Sequence, residues 1–303
     1  MSSVSQRSKK TEAGVTATIK QGDALPPLPI SKEFKEQAIF ENLAALNDFL
    51  CYNIPPGKPW IPMHYVVNFT KGTMMIYLFA LMCYYDNFSL GAWMYLALHG
   101  NYGIIWFLKD RTFPDAGFNR EATTMSAIFP LPVVLIPYYF IGYWMMSGGE
   151  AQKNPSYERI FVAIQLYCLG VVFMVLTDAQ KYLVLKERRG LITHCMTGWS
   201  RNMNYVGEMM LYASFGVLCQ RTEVWYIFAY VWTCIFSLRM LIKEYSLSKK
   251  VEWPMYKAKT WFLLPKIYGS TVISLVVYSA SFASFYYAYT LGGIEATFKS
   301  LRN

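Results

Sequence analysis

Seven apolar runs dominate this chain, at about 62–85, 88–108, 122–146, 157–177, 203–219, 223–242 and 270–291. A helix needs roughly 20 mostly apolar residues to cross about 30 Å of hydrocarbon. Inside lipid each backbone N–H and C=O must be satisfied within the spanning structure, which favours helices. The expected fold is therefore all-α, a polytopic transmembrane helical bundle of about seven helices. Composition agrees: charged residues are 16% and hydrophobic residues 54% of the chain, where soluble domains carry about 25% charged residues. The run at 122–146 holds Pro130, Pro132 and Pro137, so a kink or break is expected there. The short run at 203–219 should pair with its successor through the turn Gln220-Arg-Thr222.

Three parts follow from this pattern. Residues 1–61 read as a polar arm ending in a proline-rich linker, Ile54-Pro-Pro-Gly-Lys-Pro-Trp-Ile-Pro62, which cannot be helical. Residues 62–269 form the membrane domain, and 270–303 add a further spanning helix and tail. Ala280, Ser284 and Ala288 recur every four positions in that last helix, a small-residue face of the kind that packs on other membrane helices. The arm has no apolar stretch near its start, so a cleaved secretory signal is not expected, and its scarcity of early acids leaves a mitochondrial address open. The six cysteines and three histidines show no metal-ligand spacing, so no metal is expected.

Charge is distributed unevenly. Between Asp178 and Arg201 five bases face two acids, and between Arg239 and Lys266 seven face two, which is most of the formal net charge of +9. With seven spans both segments fall on one side, the cytoplasmic or matrix side by the positive-inside rule. The same bases can also pair with a phosphorylated ligand. No GxGxxG follows a strand, so a Rossmann site is not expected, and no nucleic-acid partner is expected.

The polar cluster Ser200-Arg-Asn-Met-Asn-Tyr-Val-Gly-Glu208 opens the run at 203–219. Ionisable groups at the mouth of a membrane helix are costly and usually line a site. Asn202 and Asn204 suit an amide such as nicotinamide, Tyr205 can stack or donate a proton, and Glu208 lies one turn from Asn204 on the same face. Arg201 to Glu208 resembles the C-terminal signature of the steroid 5α-reductase-like family of membrane reductases, part of a superfamily shared with isoprenylcysteine carboxyl methyltransferases. Three further elements extend the resemblance over about 64–268: His99-Gly-Asn-Tyr-Gly103 with Trp106, Lys109-Asp-Arg111 and Phe113-Pro-Asp115; Thr177-Asp-Ala-Gln-Lys-Tyr182 with Arg189; and Leu241-Ile-Lys-Glu-Tyr245 with Trp253 to Lys266. The first of these is similar to an uncharacterised bacterial and plant branch.

The resemblance implies an integral membrane NADPH-dependent reductase. It would deliver hydride to a double bond conjugated with a carbonyl on a steroid or other lipid. It places Asp178, Lys181, Arg189, Arg201, Asn202, Asn204, Tyr205, Glu208 and Lys243 around the cofactor. Tyr102 and His99 are the candidates for the acid that protonates the substrate carbonyl. The family's proline between the two asparagines is Met203 here. With the polar arm and the added helix, that departure supports a second class: a reductase fold that has lost its cofactor and serves as an accessory subunit of a larger membrane assembly, such as a mitochondrial respiratory complex. An endoplasmic-reticulum location is the counterpart of the first reading. A methyltransferase ranks third, because those proteins show Arg-His-Pro where this chain has Arg201-Asn-Met.

Overall fold

A computed structural model describes residues 37–290 together with Gly293, Thr297, Lys299, Ser300 and Arg302. The protein is mostly helical, with four helices long and apolar enough to cross a membrane: Met63–Tyr84 (α2), Thr124–Met146 (α4), Tyr157–Glu187 (α6) and Thr222–Ser248 (α9). Between them lie a helix over 90–112 (α3), the short Glu150–Lys153 (α5), Cys195–Trp199 (α7) and Met203–Cys219 (α8). Trp253–Lys259 (α10) and Thr271–Thr290 (α11) follow, and Gln37–Tyr52 (α1) precedes. The expected count of seven spans reduces to four on length and hydropathy. The 17 residues of α8 are short for a full crossing, and α3 carries Lys109 and Arg111 in its last turn.

Several boundaries differ from those read in the sequence. The expected arm contains a 16-residue helix, α1, whose Ile39, Leu43, Leu46 and Leu50 recur at helical spacing. Helix α6 continues to Glu187, ten residues past the apolar run, because Ala179 to Glu187 are good helix formers whether or not they are apolar. Asp178 and Lys181 thus sit on a helix and not in a loop. The proline-containing α4 bends through a π turn at Leu131–Leu135, as Pro130 predicts. Further π turns interrupt α3 at Leu96–Gly100 and α9 at Val231–Phe236. Gln220 closes α8 in the left-handed conformation, its N–H donating to the Gly216 carbonyl at 2.9 Å. Ile61–Pro62 pairs antiparallel with Glu121–Ala122 and ends the proline-rich segment.

Side-chain burial is consistent with lipid as the solvent. Phe69, Ile76 and Phe79 of α2 and Phe161, Val172 and Leu176 of α6 point outward. The interior is built from Tyr95, Tyr102, Phe215 and Phe228 with Leu78, Met82 and Met174. Segments 195–202 and 256–266 meet directly. The Tyr256 hydroxyl donates to the Thr197 carbonyl at 2.7 Å, and the Arg201 N–H to the Trp261 carbonyl at 3.2 Å. Both basic stretches therefore share one end of the molecule.

Candidate functional site

Two close crossings place the functional groups. Helices α6 and α8 touch backbone to backbone at Gly170 and Gly207, where a Cβ on Gly207 would lie 2.6 Å from the Gly170 carbonyl oxygen. Helices α2 and α3 cross at Lys71 and Gly103, where a Cβ on Gly103 would lie 2.1 Å from the Lys71 carbonyl. The first crossing turns Asn204, Tyr205 and Glu208 inward, and the second brings Lys71 beside Tyr102.

Lys71, Asn204, Tyr205 and Glu208 line a cavity of about 320 Å³, at the lower end of the range for small-ligand sites. Its polar wall is Lys71, Lys109, Asp115, Asp178, Asn204, Glu208 and Arg239. Its apolar wall comes from Met63 and Val67 of α2, Val134 and Leu135 of α4, and Ile235, Phe236 and Ile242 of α9. Asn47, Cys51 and Tyr52 of α1 also line it. A second cavity of about 350 Å³ adjoins it and shares Lys109, Asp115 and Asp178; its other polar groups include Asn119, Lys181 and Lys186. Lys109 and Asp178 form a buried ion pair in that common wall.

Lys71 is the most constrained charge. Its ammonium donates to the Tyr102 hydroxyl at 2.5 Å and to the Tyr212 hydroxyl at 3.5 Å, and it lies 3.6 Å from the Trp106 ring centroid. Aromatic faces offset part of the cost of holding a cation away from water. Trp106 also carries the Lys109 ammonium at 4.3 Å. Glu208 makes no hydrogen bond or ion pair with any described residue, and the charges acting on it most are those of Lys71, Lys109, Asp178 and Arg239. The amide oxygen of Asn204 is buried without a hydrogen-bond partner among the described residues. At the helix end Asp115 pairs with Lys181 at 2.8 Å. Burial opposes its ionisation, yet the Lys181 ammonium and the Gly117 N–H outweigh that and hold its carboxyl below the ordinary value.

The residues singled out in the sequence therefore divide. Asp178, Asn204, Tyr205 and Glu208 meet at the inner cavity and Lys181 at the outer one. Tyr102 is buried behind Lys71 and borders a small side pocket together with His99. His99 shares a hydrogen bond of 3.0 Å with the Tyr95 hydroxyl and stacks on Phe215, its ring centroid 4.1 Å away, so it serves as packing. Arg201 lines neither cavity. Its guanidinium is spent on Glu244 at 2.7 Å and on the Thr260 carbonyl. Asn202 donates to the Phe262 carbonyl at 2.8 Å and accepts from Lys243 at 3.1 Å, while Lys243 also donates to the Arg201 carbonyl at 2.7 Å. Arg201, Asn202 and Lys243 thus fasten α8 to α9 and to the 260–262 segment. Arg189 is exposed and lines neither cavity.

Lys71 and Arg239 had no role in the sequence reading. The signal for Lys71 was present, a lone cation in the apolar run at 62–85, and intramembrane charges mark functional sites. Arg239 was counted only as one of the bases that set orientation and could pair with a phosphorylated ligand. Comparison with protein-family models, with curated proteins and with solved structures yields no match.

Proposed function

We propose that this chain is a membrane-embedded, reductase-like protein that uses NADPH on a conjugated double bond of a lipid. One observation supports this above the others: Asn204, Tyr205 and Glu208 of the resembling signature all line a single cavity, joined there by Asp178 and Lys71. The lining suits such a nucleotide in two respects. The unpartnered Asn204 amide oxygen matches a carboxamide N–H. The outer cavity carries Lys109, Lys181 and Lys186 against Asp115 and Asp178, an excess of positive charge suited to phosphates. When bound, the nicotinamide supplies hydride.

The chain's own residues would supply the rest. Asn204 orients the amide, and Lys186, the outer-cavity lysine without a carboxylate partner among the described residues, meets the phosphates. The Lys71 ammonium, braced by Tyr102 and Tyr212, presents a proton donor to the cavity. The proton donor on the cavity wall is then Lys71, with Tyr102 as its support. We further propose that all seven apolar helices cross the bilayer, with the basic end on the cytoplasmic or matrix side. Saturable NADPH binding by the purified protein in nanodiscs tests the reading. Asn204→Ala should weaken it by about 1 kcal/mol, the net value of one hydrogen bond. A wild-type protein with no saturable binding ends the proposal.

A second reading, an accessory subunit of a larger membrane assembly, is favoured by α11. This helix is tied back near its start by the Ser274 hydroxyl accepting from the Ile267 N–H at 2.8 Å and by the Tyr278 hydroxyl donating to the Pro265 carbonyl at 2.8 Å. Val272, Leu275, Val276, Phe282 and Tyr286 are exposed, a face available to lipid or to another subunit.

A further inference from the structure

We propose that the inner cavity is a site for an amphiphile with a single anionic head, a carboxylate or a phosphate ester, and that Arg239 is its head-group anchor. This rests on the reading above, with the lipid head sharing the inner cavity with the nicotinamide, and narrows the substrate class from any lipid to an acidic one.

The argument begins with charge. Lys109 is matched by Asp178, and Asp115 by Lys181. What is left on the inner wall is Lys71, Arg239 and Glu208, two cations against one carboxylate. Lys71 already has hydroxyl and ring partners. Arg239 has one ring partner, Phe118, 5.8 Å from the guanidinium carbon, and makes no hydrogen bond or ion pair with any described residue. Arg239 is half-buried on the cavity wall, and its guanidinium donors have no acceptor among the described residues, which leaves them free for a ligand. An incoming carboxylate or phosphate supplies two parallel acceptors for its fork and cancels the one surplus positive charge. A neutral head does neither.

The apolar wall accounts for the other half of the ligand. Ile235, Phe236 and Ile242 lie on the same helix as Arg239 and line the same cavity, facing Val134 and Leu135 of α4. A hydrocarbon tail along these two membrane helices keeps its contact with apolar surface while the head sits at Arg239. The opposite placement would set the tail against Asp178, Asn204 and Glu208.

The test uses the full chain in phosphatidylcholine nanodiscs and compares dodecanoate, dodecyl phosphate and dodecanol, probes with one tail and different heads. Wild type should bind both anionic probes at least tenfold tighter than dodecanol. Arg239→Gln should bring that ratio close to one, and Arg239→Lys should keep part of it. Glu208→Gln, which removes the opposing carboxylate, should tighten dodecanoate severalfold; that rise guards against reading a misfolded Arg239 variant as a lost contact. Equal binding of the three probes by wild type, or a preference that survives Arg239→Gln, overturns the proposal. So does an Arg239→Gln protein that loses NADPH but keeps its preference for dodecanoate, since Arg239 would then serve a nucleotide phosphate. Absence of NADPH binding with the anionic preference intact sinks the reductase reading alone.

Discussion

Gly207 lies against Gly170 so closely that a Cβ on Gly207 would stand 2.6 Å from the Gly170 carbonyl oxygen and 2.5 Å from the Met174 nitrogen. Both obstacles are backbone and neither can rotate away. This contact sets the separation of α6 and α8, and so the direction in which Asn204 and Glu208 point. Gly207→Ala should therefore cost about 1–3 kcal/mol, the range for an overpacked core. The thermal midpoint in nanodiscs reads it. An alanine variant as stable as wild type would mean that the helices can part without loss.

Arg201 and Glu244 form a buried pair, with side chains 7% and 8% exposed. Removing one partner strands the other charge, so Arg201→Ala should destabilise by about 3–5 kcal/mol. Combining Arg201→Met with Glu244→Leu should recover much of this, because an apolar pair of similar volume needs no counter-charge. The nucleotide affinity of whatever protein stays folded should be unchanged. Full stability with lost NADPH binding would restore Arg201 to the ligand and remove it from the scaffold.

The legible part of this protein was its apolar runs and its signature. The span near 63–84 could be placed because lipid leaves few alternatives, and the helix at 203–219 was placed because polar residues crowd its start. The partner of Arg201 was not legible, because an arginine beside a phosphate and an arginine beside a buried glutamate look alike in one dimension; Glu244 is 43 positions away. The α1 helix was hidden by a polar composition in which a sparse apolar stripe was enough. Arg239 was hidden by its neighbours, being one base among seven in its segment. Only the fold distinguishes the one that lines the inner cavity from the other six.

Lys71 provides a kinetic prediction. Lys71→Met keeps an unbranched apolar stem and removes the ammonium that donates to Tyr102 and Tyr212. Turnover should fall by about 10²–10⁴, the usual share of a general acid, with the NADPH Kd little changed. Loss of binding at unchanged turnover per bound complex would make Lys71 a contact residue.

Asp115 predicts how stability responds to acid. Its folded carboxyl lies below the ordinary value of 3.8, so the unfolded chain binds the proton more readily. The stabilisation is complete above the ordinary value and disappears as pH falls through the lower, folded one. The stability difference between wild type and Asp115→Asn should be flat from about pH 5 to 8 and shrink below about pH 4. Lys181 is 48% exposed, so the effect is modest and salt should reduce it. A difference that grows as pH falls would reverse the sign assigned to the pair.

The last prediction separates the two readings of function through α11. Truncation after Tyr268 removes the Ser274 and Tyr278 contacts to 265–267 and the tilted pair of Trp261 and Tyr278, with centroids 6.1 Å apart. None of the removed residues lines the inner cavity. The truncated chain should therefore fold and keep any nucleotide affinity it has. The small-residue face runs through Ala280 and Ser284, and the side chain of Ala288, its third member, lies outside the described residues. If the chain is an accessory subunit, α11 helps to bury more than roughly 1,000 Å² in total against its neighbours. Truncation should then release it from the assembly in native gels of solubilised membranes. A truncated chain that still migrates with the assembly, or an intact chain that always migrates alone, removes the docking role and leaves α11 as a lipid-facing part of this protein.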